Sequence, residues 1–190
     1  MSDAVQAVTG LLRHHDGVDP LLIGVDGASG AGKSTLADAL VAELGGAIVH
    51  LDDFYRPMEA DRRAALDPQA GFELYFDWQR LIGEALDPLV LGEPAVFRRF
   101  DWQLDALGDD VVAVDPSGVI VVEGVYAHRP QLRGYYDIAV FVDTPAPVRR
   151  QRCEVRTDTP DWMERWAAAE DWYLSNADPR PGADLVVTGR

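Results

Sequence analysis

Five short runs of consecutive apolar residues, rich in β-branched side chains, punctuate the chain and predict strands at Leu21–Val25, Ala47–Leu51, Val119–Val122, Ile138–Val142 and Leu185–Val187. Runs without polar alternation belong to strands covered on both faces, as in a parallel sheet with helical crossovers. Elsewhere the apolar positions take helical spacing. Residues Ala4–His14 place Val5, Val8, Leu11 and Leu12 on one side and predict a short helix packed on the sheet edge. Residues Ser34–Leu44 place Leu36, Leu40, Val41 and Leu44 on one face, and Gly45-Gly46 stops that helix. A third helix is predicted over Asp77–Leu91, with Pro88 bending it or marking its end. Ala95–Asp105 and Val111–Val114 read as a strand pair, and the stripe Trp162, Trp166, Ala169, Tyr173 reads as core packing. The sum is an α/β fold: a doubly wound five-stranded parallel sheet with helices on both faces, interrupted by an insert from about residue 55 to 118.

Chemistry enters at the turn between the first strand and the Ser34–Leu44 helix. Gly27-Ala28-Ser29-Gly30-Ala31-Gly32-Lys33-Ser34-Thr35 satisfies G-x-x-x-x-G-K-[ST], and Lys33 is the only lysine in the chain. Glycines let successive N–H groups turn inward around a phosphate, at the positive end of the following helix. A compact ammonium can reach β- and γ-phosphoryl oxygens, and the Ser34 hydroxyl can ligate Mg²⁺; arginine's planar fork has a different shape.

Composition narrows the partners. With 17 basic and 32 acidic side chains the formal charge is −15, which argues against a polynucleotide partner. No stretch approaches the roughly 20 apolar residues of a membrane span, and no basic-then-apolar leader opens the chain, so a cytoplasmic protein is expected. The length and 47% hydrophobic content suit one domain over residues 1–190; a homo-oligomer is compatible with this. The single Cys153 cannot close an internal disulfide, and His14, His15, His50 and His128 form no zinc-like set with it.

Further candidates fall at the same sheet edge. Asp52 and Asp53 follow the second strand directly, where ligands bind in open α/β sheets, and one of them could take the proton of an acceptor hydroxyl. Glu123 ends the Val119–Val122 strand, the place of an acidic residue that holds Mg²⁺. Arg149, Arg152 and Arg156 share one helical face at i, i+3 and i+7, suited to triphosphate charge and to a lid over about 145–175.

These pieces, with Asp52-Asp53-Phe54-Tyr55, Phe76-Asp77, Glu123-Gly124, Phe141-Val142-Asp143-Thr144 and Ala183–Val187, resemble the uridine kinase and phosphoribulokinase family of P-loop kinases. The resemblance implies an ATP- and Mg²⁺-dependent kinase of a small-molecule hydroxyl, first of all the 5′-hydroxyl of uridine or cytidine. It implies Asp52 as general base, Lys33, Arg152 and Arg156 on the transferring phosphoryl, and Gly27–Thr35 with Arg149 and Arg152 on the nucleotide. It further implies Ser34, Glu123 and Asp52 at Mg²⁺, and Asp52, Tyr55, Asp77, Phe100 and Asp101 on the acceptor. The sequence departs from the family at Arg98–Leu107: Phe100 lacks a phenolic hydroxyl, and Asp105 and Leu107 stand where histidine and arginine are expected. Another acceptor (a sugar, a pantothenate-like metabolite or an antibiotic hydroxyl) is therefore the alternative. A non-catalytic ATP-binding module is a further one, against which Asp52, Asp77 and Glu123 speak.

Overall fold

The computed structural model describes residues 2–13, 15, 17, 19–155 and 160–189. The elements run α1 (Ser2–Leu12), β1 (Leu21–Asp26), α2 (Lys33–Leu44), β2 (Ala47–His50), a 3-10 turn (Leu51–Phe54), α3 (Ala60–Ala64), α4 (Pro68–Leu74) and α5 (Trp78–Leu81). A π turn (Ile82–Leu86), α6 (Asp87–Val90), the hairpin strands β3 (Ala95–Asp101) and β4 (Ala106–Val114), and β5 (Val119–Glu123) follow. The chain continues through α7 (Pro130–Arg133), β6 (Ile138–Asp143), α8 (Ala146–Glu154), α9 (Pro160–Asn176) and β7 (Leu185–Thr188).

Five strands form the parallel sheet predicted from the apolar runs, in the order β2-β5-β1-β6-β7. β1 lies at the centre, so the loop that follows it opens into the crevice where neighbouring connections leave in opposite directions. The pleat sorts side chains by parity. Ile23, Val25, Val121 and Val140 face a core layer closed by Val5 and Val8 of α1 and Leu36, Ala37 and Leu40 of α2. Leu22, Ile120 and Val122 face the other layer, built from the insert, α7 and α9, with Phe72, Phe76, Tyr126, Trp166 and Tyr173. Each fully buried Leu or Ile in these layers contributes about 1.5–3 kcal/mol.

Three local expectations are revised. The Asp77–Leu91 helix is not one regular element: α5 begins after Asp77, passes through the π turn, and continues as α6 across Pro88 to Val90. Pro88 has no N–H to give to the preceding turn, and the wider π turn just before it accommodates that loss. The hairpin is shorter on its first side and longer on its second, because Oδ1 of Asp101 accepts the amides of Gln103 and Leu104 and turns the chain there. Asp26, which lies just beyond the predicted Leu21–Val25 strand in an Asp-Gly pair of the kind that ordinarily marks a turn, is instead the fully buried last residue of β1. Helix α1 packs on α2 and the edge strand β7, as expected; His14 lies outside the described residues.

Candidate active site

The phosphate loop leaves β1 at Asp26 and enters α2 at Lys33. Gly30 and Gly32 take φ of +74° and +100°, conformations that a side chain disfavours. Gly30 is also tightly covered: a Cβ there would lie 2.6 Å from the Arg149 carbonyl oxygen. Asp26 holds the root of the loop, accepting the amides of Gly27 (2.6 Å), Tyr126 (3.2 Å) and His128 (2.9 Å) and the Tyr173 hydroxyl (2.5 Å). Four donors from three parts of the chain satisfy a carboxylate that would otherwise be costly to bury. Lys33 is buried and gives its ammonium to the Ala28 carbonyl at 3.2 Å, at the floor of the loop.

Strand register places the acidic residues. Glu123 pairs with Val25 on one side and with His50 on the other, so these strand ends sit level at the carboxyl edge. The Ser34 hydroxyl donates to Glu123 Oε1 at 3.3 Å, and His50 Nδ1 lies 2.7 Å from the same oxygen. That hydrogen bond raises the His50 pKa, against the opposing effect of burial. Asp52, in the 3-10 turn two residues beyond His50, opens its side chain to the cleft while protein encloses it on the other sides. Desolvation, then the Glu123 charge, raises its carboxyl pKa, with Lys33 and His50 opposing.

One cavity of about 390 Å³ joins these groups, lined by Ser29, Gly30, Lys33 and Ser34 of the loop and helix start, by Asp52 and Glu123, by Arg149 and Arg150, and by Trp102, Trp162 and Trp166. Arg149 and Arg152 both turn toward the loop, as residues sharing one helical face would: Arg149 Nη1 reaches the Ser29 carbonyl at 3.5 Å while its Nε donates to the Thr144 carbonyl, and Arg152 Nη1 donates to the Gly30 carbonyl at 2.9 Å. Arg156 lies outside the described residues. Ala28 and Ala31 are buried beneath the loop, while Ser34 and Thr35 are exposed at the start of α2.

The acceptor side differs from expectation. Tyr55 is buried, stacked with Tyr75 and Trp166 and edge-on to Phe76, and burial pushes its phenol up to about 12. Phe100 is buried edge-on to Tyr55 and Trp102, so both aromatic rings predicted to meet the acceptor are core. Asp101 is occupied by its turn. Asp77 caps α5 by accepting the Arg80 amide at 3.2 Å and pairs with Arg56 at 3.2 Å, a carboxylate at a helix start as read from sequence but already partnered. Asp105 grips Arg63 with both oxygens, at 2.7 and 3.0 Å. The ring that does face the cavity from the hairpin is Trp102, 49% exposed.

Sequence reasoning missed four site residues. His50 could have been found, since it ends a predicted strand two residues before Asp52. Glu170 and Tyr173 had a weaker signal: Glu170 is an acid on the face that carries Trp162 and Trp166, where an apolar residue is expected. Asp26 had none, because Asp-Gly ordinarily marks a turn.

An open parallel sheet, a glycine loop with a buried lysine, and a carboxylate-lined cleft beside it define a P-loop kinase, a phosphotransferase that uses a hydroxyl as acceptor. Residues 22–157 match the phosphoribulokinase / uridine kinase family, and the chain belongs to that family. It is 30% identical over 165 residues to a uridine kinase of Halobacterium salinarum, covering 83% of this chain and 71% of the relative. It is 31% identical over 183 residues to a uridine kinase of Geobacillus kaustophilus, covering 92% and 84%. The solved structure of a possible uridine kinase from Bacillus stearothermophilus shares the fold, with a TM-score of 0.75 over 97% of both chains at 22% identity. Among the described residues no helix is long and apolar enough to cross a membrane.

Proposed function

We propose that this kinase transfers the γ-phosphoryl group of ATP, with Mg²⁺, to a small-molecule hydroxyl, with the 5′-hydroxyl of uridine or cytidine as the first candidate. The observation that carries the reading is the convergence of Lys33 and Ser34 with Asp52 and Glu123 in one cavity at the carboxyl edge of the sheet. Phosphoryl transfer asks the protein mainly for position and compensating charge. The loop amides and Lys33 would hold the β- and γ-phosphates, and Arg149 and Arg152 would balance charge above them. Arg156 keeps this role on the sequence reading alone. Asp52 would accept the hydroxyl proton; a carboxylate whose pKa is raised by burial is a stronger base than one in water.

Ser34 and Glu123, with Asp52 facing them, offer oxygen donors only, the set that a hard cation prefers. Mg²⁺ keeps several waters and takes one or two protein ligands beside phosphate, so this small set fits it. When bound, the ion would supply positive charge to offset that of the phosphates during transfer.

The relatives described as uridine kinases favour a nucleoside acceptor. One observation favours the second reading, a different acceptor: the aromatic rings that line the cavity are Trp102, Trp162 and Trp166, whereas Tyr55 and Phe100 are withdrawn into the core. We take residues 1–190 as one kinase unit, with the insert at 55–118 on the acceptor side and 145–175 as the lid. The test is ADP release from Mg²⁺-ATP with uridine, cytidine, purine nucleosides, simple sugars and pantothenate, using Asp52→Asn as control. Saturable stimulation by pyrimidine nucleosides that Asp52→Asn abolishes is expected. Stimulation by another acceptor alone moves the substrate, and none with any acceptor defeats the proposal.

A further inference from the structure

We propose that Glu170 is a positioning residue of the phosphate loop, fixing the Ser29 peptide and tying it to the two helices that cover the cleft. This rests on the reading of Gly27–Thr35 as the nucleotide loop. Glu170 comes from α9, is 3% exposed, and takes no part in the chemistry set out above. Its Oε2 accepts the Ser29 amide at 3.0 Å and its Oε1 accepts the Ser29 hydroxyl. A carboxylate is costly to bury, and here both oxygens are spent on one loop residue.

The surrounding contacts make Ser29 a junction. Arg149 of α8 brings Nη1 to 3.7 Å from Glu170 Oε2 and to 3.5 Å from the Ser29 carbonyl, so the two lid helices meet on the same residue, one on its amide and the other on its carbonyl. One turn beyond Glu170 on α9, Tyr173 donates to Asp26, the residue before Gly27. Helix α9 therefore grips the loop on both sides of Gly27-Ala28. A glycine-rich segment has many conformations to lose, and phosphate binding gains when its amides are aimed beforehand. Glu170 does this from outside the motif, which explains an acid on a helix face otherwise given to tryptophan.

The alternative role, in which the negative charge itself governs the site through Lys33 and Arg149, makes the opposite prediction for two conservative variants. Aspartate keeps the charge but is one methylene short and cannot reach both Ser29 groups. Glutamine keeps the length, with an oxygen for the Ser29 amide and an NH₂ for its hydroxyl oxygen, and loses the charge. Calorimetric binding of Mg²⁺-ADP to the wild type, Glu170→Asp and Glu170→Gln, with thermal midpoints alongside, separates them. Positioning predicts that Glu170→Asp weakens Mg²⁺-ADP about tenfold, while Glu170→Gln stays within about threefold of wild type. Glutamine losing as much as aspartate, or neither variant changing affinity even with a lowered midpoint, overturns the proposal. A wild type that binds no Mg²⁺-ADP overturns the nucleotide reading and this inference together, so the two failures are distinguishable.

Discussion

His50 Nδ1 and Glu123 Oε1 stand 2.7 Å apart on adjacent parallel strands, and the same Glu123 oxygen accepts the Ser34 hydroxyl. One imidazole thus orients the carboxylate that faces the phosphate loop. The hydrogen bond raises the His50 pKa above its unfolded value, so the pair's stabilisation is complete below about pH 6.5 and is lost as pH rises through the folded pKa. His50→Ala is expected to flatten thermal stability against pH across that window and to lower kcat/KM about three- to tenfold by loosening Glu123. Melting curves from pH 5.5 to 9 and steady-state kinetics check both.

Asp52 sits where function and stability oppose each other. Its folded pKa is raised, so the folded state holds this proton more tightly than the unfolded chain, and stability falls as pH rises from the unfolded value toward the folded one. Asp52→Asn is therefore expected to raise the thermal midpoint at pH 7, a gain that disappears below about pH 4. Turnover should drop about 10²- to 10⁴-fold with Mg²⁺-ATP affinity changed less than about threefold. Wild-type kcat should fall as pH is lowered through the raised pKa.

Gly30 and Gly45 share a φ of +74° but differ in surroundings, which separates backbone strain from steric contact. An added Cβ at Gly45 meets nothing within 4 Å, whereas at Gly30 it meets the Arg149 carbonyl oxygen at 2.6 Å. With ψ at 178°, Gly45 lies in a region that is essentially glycine-only, and Gly45→Ala is expected to cost about 1–3 kcal/mol in denaturant unfolding. Gly30→Ala should cost about 1–3 kcal/mol more and weaken Mg²⁺-ADP binding, because α8 must move off the loop.

Asp26 carries four hydrogen bonds inside the core. Asp26→Ala strands the Tyr173 hydroxyl and the amides of Gly27, Tyr126 and His128, and is expected to destabilise the protein by about 3–5 kcal/mol in urea unfolding. Tyr173→Phe removes a single partner and should cost about 1–2 kcal/mol. The difference between the two measures how much of the loop's root depends on the strand residue rather than on α9.

The five sheet strands, the loop and its following helix were legible in the sequence because each is a local signal: an apolar run of fixed length, a glycine spacing, a 3.6-residue period. The same holds for Asp52 and Glu123, since a residue at or just past the end of a buried strand must emerge at the sheet edge, and for Lys33 and Ser34, which the glycine spacing fixes at the start of the following helix. The direction of Arg149 and Arg152 was legible for the same reason, both lying on one helix face. Strand order and register were decided only in three dimensions, and they set His50 beside Glu123. Which aromatic rings face the cleft was also a tertiary outcome: Tyr55 and Phe100 lie in the local pattern expected of acceptor contacts, but competition for the interior draws them inward and leaves Trp102 exposed. Glu170 and Ser29 are 141 residues apart, and no periodicity or spacing links them. Their contact exists because α9, packed against α4, reaches the loop, where an acid can be buried only if the loop's own donors satisfy it.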